Sequence, residues 1–128
     1  MKKKSLKTLT AKLDKVFSDY IRLKAAKGSW ENSVQCVTCK SFLPAKQAHC
    51  GHFIKRQHRA TRWLEINAYP QCPRCNVYMG GRQDDMALHI IQTHGLERFN
   101  GLMSLKHKTV KYTPQDLEQM IEKFSSKA

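Results

Sequence analysis

Two Cys-x-x-Cys pairs, Cys36/Cys39 and Cys72/Cys75, stand 32 residues apart in this 128-residue chain. Paired thiolates at that spacing are presented by tight turns and converge on a tetrahedral zinc ion. When they do, everything between them is folded back as a closed loop, and a small core gains a metal staple. The intervening stretch is longer than a simple ribbon or finger requires, so an element of structure is built between the knuckles. The fifth cysteine, Cys50, is left over in "HCGHF" at 49–53, beside His49 and His52. These three residues could be further zinc ligands, a catalytic centre or packing.

The length suits one compact domain. Lys and Arg number 23 against 10 Asp and Glu, a formal charge of +13. That excess points to a polyanionic partner, since each neutralised phosphate releases counterions. Nucleic acid is the first expectation and a membrane surface the second. A spanning segment is not expected, because no run approaches the roughly 18 apolar residues that one needs. The basic start "MKKKSLKTLTAKLDK" has no apolar run after it and does not resemble a secretory signal. The chain is expected in the cytoplasm, where paired cysteines bind metal rather than form disulfides.

Leu6, Leu9, Leu13, Val16, Phe17, Tyr20 and Ile21 recur at helical steps, predicting one amphipathic helix over 5–27 ended by Gly28. Its exposed face is strongly positive, either a solvated face or a DNA contact. Residues 36–44 make a knuckle and a turn. A short strand follows over 47–55, with His49, Gly51 and Phe53 on one side and Cys50, His52 and Ile54 on the other. "KRQHRATR" at 55–62 is a loop able to follow a phosphate backbone through Lys55, Arg56, Arg59 and Arg62. "WLEINAYP" at 63–70 predicts a second strand stopped by Pro70. After the second knuckle, Gly80-Gly81 breaks the chain, and 82–94 makes a helix with Met86, Ile90 and Ile91 inward and Gly95 at its end. A shorter helix covers 96–105. Thr113 caps the last helix, with Pro114 at its first position and Asp116 in its first turn.

If one zinc clamps the four paired cysteines, residue 52 comes near residue 76. Asn76 offers a side-chain oxygen to a hard cation such as Mg²⁺, and His52, with an imidazole near neutrality, can take a proton from water. Here the residues resemble a known pattern. Cys-x-x-Cys, Gly-His, a middle Asn and Cys-x-x-Cys-Asn look like a zinc-stapled HNH, or ββα-metal, endonuclease. The resemblance is closer to the lambdoid phage NinG (Rap) family of recombination endonucleases. It is carried by "CVTC" at 36–39, "GHF" at 51–53, "RWLEIN" at 62–67, "QCPRCN" at 71–76, "GG" at 80–81 and "HGLERFNGL" at 94–102.

The resemblance implies an α+β fold: a zinc-stapled ββα-metal core over 31–105, a basic N-terminal helix over 1–30 and a C-terminal helix over 106–128. It implies His52 as general base, Asn76 as ligand to a catalytic Mg²⁺ or Mn²⁺, and Asn67 as the residue that orients the base. Arg62 and Glu65 match family positions as well, Arg62 to clamp phosphate and Glu65 to make a structural salt bridge; Lys55, Arg56, Arg59 and Arg82 are the further DNA-binding candidates by their charge. The implied substrate is branched DNA such as D-loops and Holliday junctions, and the implied products carry 5′-phosphate and 3′-hydroxyl. A homodimer through the long helix stays open. Three departures stand out, one of them Arg82 where the pattern has Asn. Gly51 replaces the Asp that many HNH enzymes place before the histidine, and His49 replaces an acid usually three residues before it. Imidazole is a poorer Mg²⁺ ligand than carboxylate and tolerates softer ions, so His49 bears on which metal is used.

The plainer alternatives are a packed histidine at position 52, a small buried hydrophobe at Cys50, and helix capping by Asp84 and Asp85. His58, His89, His94 and His107 show no ligand spacing. A zinc-stapled DNA-binding or architectural protein without turnover is therefore the competing class, and the two differ at His52 and Asn76.

Overall fold

The computed structural model describes residues 4–27 and 32–127. The first helix, α1, spans Leu6–Ala26, and Ser5 caps it by accepting from the Thr8 N–H at 3.1 Å. Leu9, Leu13, Phe17, Tyr20 and Ile21 form its buried stripe. Gly28, expected to end it, lies outside the described residues.

The first knuckle is the tip of a hairpin. Strands β1 (Ser33–Gln35) and β2 (Phe42–Pro44) pair antiparallel, Val34 opposite Leu43, and bracket Cys36 and Cys39. Only a turn was expected after Cys36, because three-residue strands carry too little alternation to see.

The central ribbon is β3 (His49–His52) against β4 (Ala68–Gln71), with Cys50 opposite Pro70 and His52 opposite Ala68. The second strand expected over 63–70 is thus shorter and later. Residues 65–67 form a 3₁₀ turn that uses the Glu65 carbonyl for the Ala68 N–H. Pro70 does not stop the strand either. Its carbonyl accepts from the Val37 N–H at 3.2 Å, and N and O of one strand residue point the same way, so its missing donor faces away from β3.

The chain after the second knuckle forms α2 (Gln83–His94), α3 (Leu96–Leu105) and α4 (Pro114–Lys127). Helix α2 ends at Gly95, which has φ 92°. Helix α4 opens as expected: Thr113 Oγ1 accepts from the Asp116 N–H, and the Asp116 carboxylate accepts from the Thr113 N–H.

The ribbon lies between two apolar clusters. On one side α1 and α4 pack together over Trp63 and Ala68, with Phe17 and Phe124 edge-on at 5.0 Å. On the other, Ile54 meets Met86, Ile90 and Leu102 of α2 and α3. Glu65 ties the outer elements with its carboxylate 3.0 Å from Lys24 of α1 and 3.8 Å from Lys127 of α4, the structural salt bridge expected of it. Among the described residues no helix is long and apolar enough to cross a membrane.

Candidate active site and metal centre

The four paired cysteines come together as their spacing predicts. The sulfurs of Cys36, Cys39, Cys72 and Cys75 all lie within 4.8 Å of one another. Cys39 and Cys72 are 3.8 Å apart, close to the edge of a sulfur tetrahedron around zinc, about 3.8 Å for a Zn–S bond of about 2.3 Å. The Cys75 N–H points at the Cys72 sulfur at 3.4 Å, a bond that stabilises a thiolate. Cys36 and Cys75 are buried. The set fits a structural zinc ion, and four thiolates leave that ion no open position.

Cys50 stands outside this cluster and packs against the α1–α4 core. Burial pushes its thiol up to about 12, so it stays protonated and serves as the small hydrophobe expected.

Residues from α1, β3, the loop after it and the second knuckle line one cleft of about 600 Å³, among them Asp14, Arg22, His49, His52, Lys55 and Asn76. Among the described residues strand β3 pairs with β4 alone, and His49 and His52, from its two faces, both line this space. Asn76 sits on a wide helical turn over Arg74–Tyr78, where the Met79 N–H reaches the Arg74 carbonyl five residues back. Its amide nitrogen lies 3.1 Å from His49 Nδ1. No other hydrogen bond of that amide occurs among the described residues, which leaves its oxygen available. With the Asn76 N–H on Nδ1, a neutral His49 carries its hydrogen on Nε2, so the donor left for a cation is the Asn76 amide oxygen, which suits a hard divalent ion and holds it weakly.

His52 packs on Phe17, ring centroids 6.0 Å apart. Its Nε2 is 2.9 Å from the Arg62 carbonyl oxygen. A carbonyl only accepts, so Nε2 carries the hydrogen. Burial, reinforced by Arg56 and Arg62 nearby, holds the imidazole below its ordinary value of 6.5, although the Arg62 carbonyl and Asp14 pull the other way. A neutral ring with hydrogen on Nε2 keeps the Nδ1 lone pair free, the state a general base needs.

A family model described as "Bacteriophage Lambda NinG protein" matches residues 1–128. The chain belongs to the NinG family. No curated protein and no solved structure matches it.

The other expected site residues fall into three groups in this NinG protein. Asn67 does not line the cleft. It is completely buried, accepts from the Ile54 N–H at 2.8 Å and donates to the carbonyls of Ile54 and Thr61 at 3.0 and 3.1 Å. It closes the loop that carries Arg62. Lys55, Arg56 and Arg59 are exposed on that loop, open to a phosphate backbone. Arg62 and Arg82 differ. Arg62, expected to clamp phosphate, is forked onto Asp14, Nε to Oδ1 at 3.1 Å and Nη2 to Oδ2 at 2.5 Å. Arg82 turns to the cysteine cluster, where Cys75 favours its positive charge and Asp85 lies 3.7 Å away.

Gly51 also has a steric reason: a Cβ there would meet the Gln71 side-chain oxygen at 2.0 Å, and Gln71 is fully buried. Sequence reasoning missed Asp14, Ser18 and Arg22, which line the cleft from α1. Their signal is the four-residue step 14, 18, 22, a polar stripe beside the apolar one at 13, 17 and 21.

Proposed function

We propose that this NinG protein is a metal-dependent DNA endonuclease of phage recombination. Its chemistry is of the HNH, or ββα-metal, kind, and it selects branched DNA such as D-loops and Holliday junctions. The observation that carries the reading is the His52–Arg62 carbonyl contact on the wall of a basic cleft, which leaves Nδ1 as the ring nitrogen free to take a proton. An antiparallel ribbon followed by a helical turn bearing Asn76 supports the same reading.

His52 Nδ1 takes a proton from water, and the water oxygen attacks phosphorus in line. The bond to the 3′-oxygen breaks, leaving 5′-phosphate and, once protonated, 3′-hydroxyl ends. Asn76, with His49 beside it, would hold Mg²⁺ or Mn²⁺, which supplies stabilisation of the charge that develops on the phosphate and leaving oxygen. Arg22, Lys46, Lys55 and Arg56 hold the backbone of the substrate by charge. The zinc cluster takes no part in the reaction.

A nicking assay on four-way junctions and D-loops with Mg²⁺ or Mn²⁺ tests this. The wild type cleaves, while His52→Ala binds the same DNA, retains zinc and does not cleave. Absence of cleavage by the wild type on branched and linear DNA across several divalent metals would instead make the protein a zinc-stapled DNA-binding module.

A further inference from the structure

The base is held by a chain of contacts that begins on α1. We propose that Asp14 is a positioning residue for His52, acting through Arg62. The carbonyl that takes the His52 Nε2 hydrogen belongs to the peptide unit joining Arg62 to Trp63. Both flanking side chains end on one carboxylate: the Arg62 guanidinium forks onto Asp14, and the Trp63 indole N–H donates to Asp14 Oδ1 at 3.0 Å. A fork fixes a plane as well as a distance. With the second residue tied to the same anion, the peptide between them has little freedom to rotate, and its oxygen is aimed at β3. Asn67 anchors the preceding residue through the Thr61 carbonyl.

Asp14 lines the cleft, yet it is no free metal ligand. It accepts three hydrogen bonds, its side chain is only 21 % exposed, and Arg56 lies 3.7 Å from Oδ2. A negative charge in a cleft meant for phosphate costs affinity for DNA. Its placement is accounted for if it holds the histidine in one tautomer. Helix α1 is then part of the active site rather than a basic appendage.

The consequence for turnover rests on the nuclease reading above; the consequence for His52 does not. Two measurements on the zinc-loaded full chain therefore separate them. Long-range ¹H–¹⁵N correlation spectra report the His52 tautomer without substrate, and steady-state cleavage of a branched DNA gives kcat and KM. In the wild type, hydrogen resides on Nε2. In Asp14→Asn, the amide turns a donor toward the guanidinium, the fork is lost and His52 populates both tautomers. We expect kcat to fall by roughly 10- to 100-fold, the range typical of residues that orient a working side chain, while KM for DNA stays the same or improves. Arg62→Lys keeps the charge, loses the fork and moves both readouts the same way; it carries the test if Asp14→Asn does not fold.

An unchanged tautomer and kcat in a folded Asp14→Asn protein overturn the proposal, as does hydrogen on Nδ1 in the wild type. A change in KM alone assigns Asp14 to charge balance and overturns it too. If the wild type cleaves nothing, the nuclease reading falls, and the tautomer comparison still decides whether Asp14 governs His52.

Discussion

Asn67 uses both ends of its amide inside the protein, toward Ile54 and Thr61, with no exposure to solvent. Truncation leaves the Ile54 N–H and carbonyl without the amide that pairs them, and takes from the Thr61 carbonyl one of its two donors, the other being the Leu64 N–H at 3.3 Å. Asn67→Ala should therefore lower stability by roughly 2–4 kcal/mol, at about 1–3 kcal/mol for each buried group left unsatisfied and partial relaxation of the loop. Urea unfolding of the zinc-saturated protein measures it; a loss below about 1 kcal/mol, the scale of an ordinary solvated hydrogen bond, would mean that water replaces the amide. At this scale the residue types were legible and their partners were not. Arg56, Arg62 and Arg82 look alike in the sequence, yet the first is exposed in the cleft, the second is forked onto Asp14 and the third meets Cys75. A charge announces its sign locally, whereas its counter-charge lies 48 positions away for Arg62. His49 was a departure without a partner until the fold set it on Asn76.

Long periodic elements were the most legible. The stripe of α1 and the opening of α4 follow from rules that act within a few residues: apolar spacing in one case, reciprocal capping by Thr113 and Asp116 in the other. Because that cap is exposed and local, Thr113→Ala should cost about 1 kcal/mol, without change in zinc content. Thermal unfolding of the single and Thr113/Asp116 double variants checks it, and the double should cost less than the sum of the singles, since each residue loses its partner in the other. Short strands were the least legible. β1 and β2 have three residues each, and β4 begins only at Ala68 because the 3₁₀ turn before it uses residues that look extended in the sequence. Pro70 misled for a reason of orientation: which edge of a strand its nitrogen faces depends on the neighbour that the strand acquires.

The whole molecule joins a cysteine cluster able to hold a metal ion, a ribbon between two apolar clusters and a cleft rimmed by basic side chains. Two of its properties follow from the assembly. If Arg22, Lys46, Lys55 and Arg56 each neutralise a phosphate, the logarithm of the DNA affinity should fall against the logarithm of salt with a slope of about −3 to −4; a flat response removes the basic cleft as the DNA surface. Burial holds His52, His89 and His94 below their ordinary 6.5. The unfolded chain then binds protons more readily than the folded one, so stability should be level above about pH 7 and decline as pH falls through 6.5 toward the folded values. Urea midpoints across that range, with the ring shifts followed by NMR, test it; midpoints that rise on acidification would reverse the sign. The sequence alone determined the cysteine cluster, the long helices and the basic character, because spacing, periodicity and composition act through neighbours along the chain. Only the tertiary structure decided that α1 enters the cleft, that Asp14 holds Arg62, and that the Arg62 carbonyl sets the tautomer of His52. Those contacts join residues far apart in sequence, and no local pattern encodes which of several chemically equivalent partners the packing will choose.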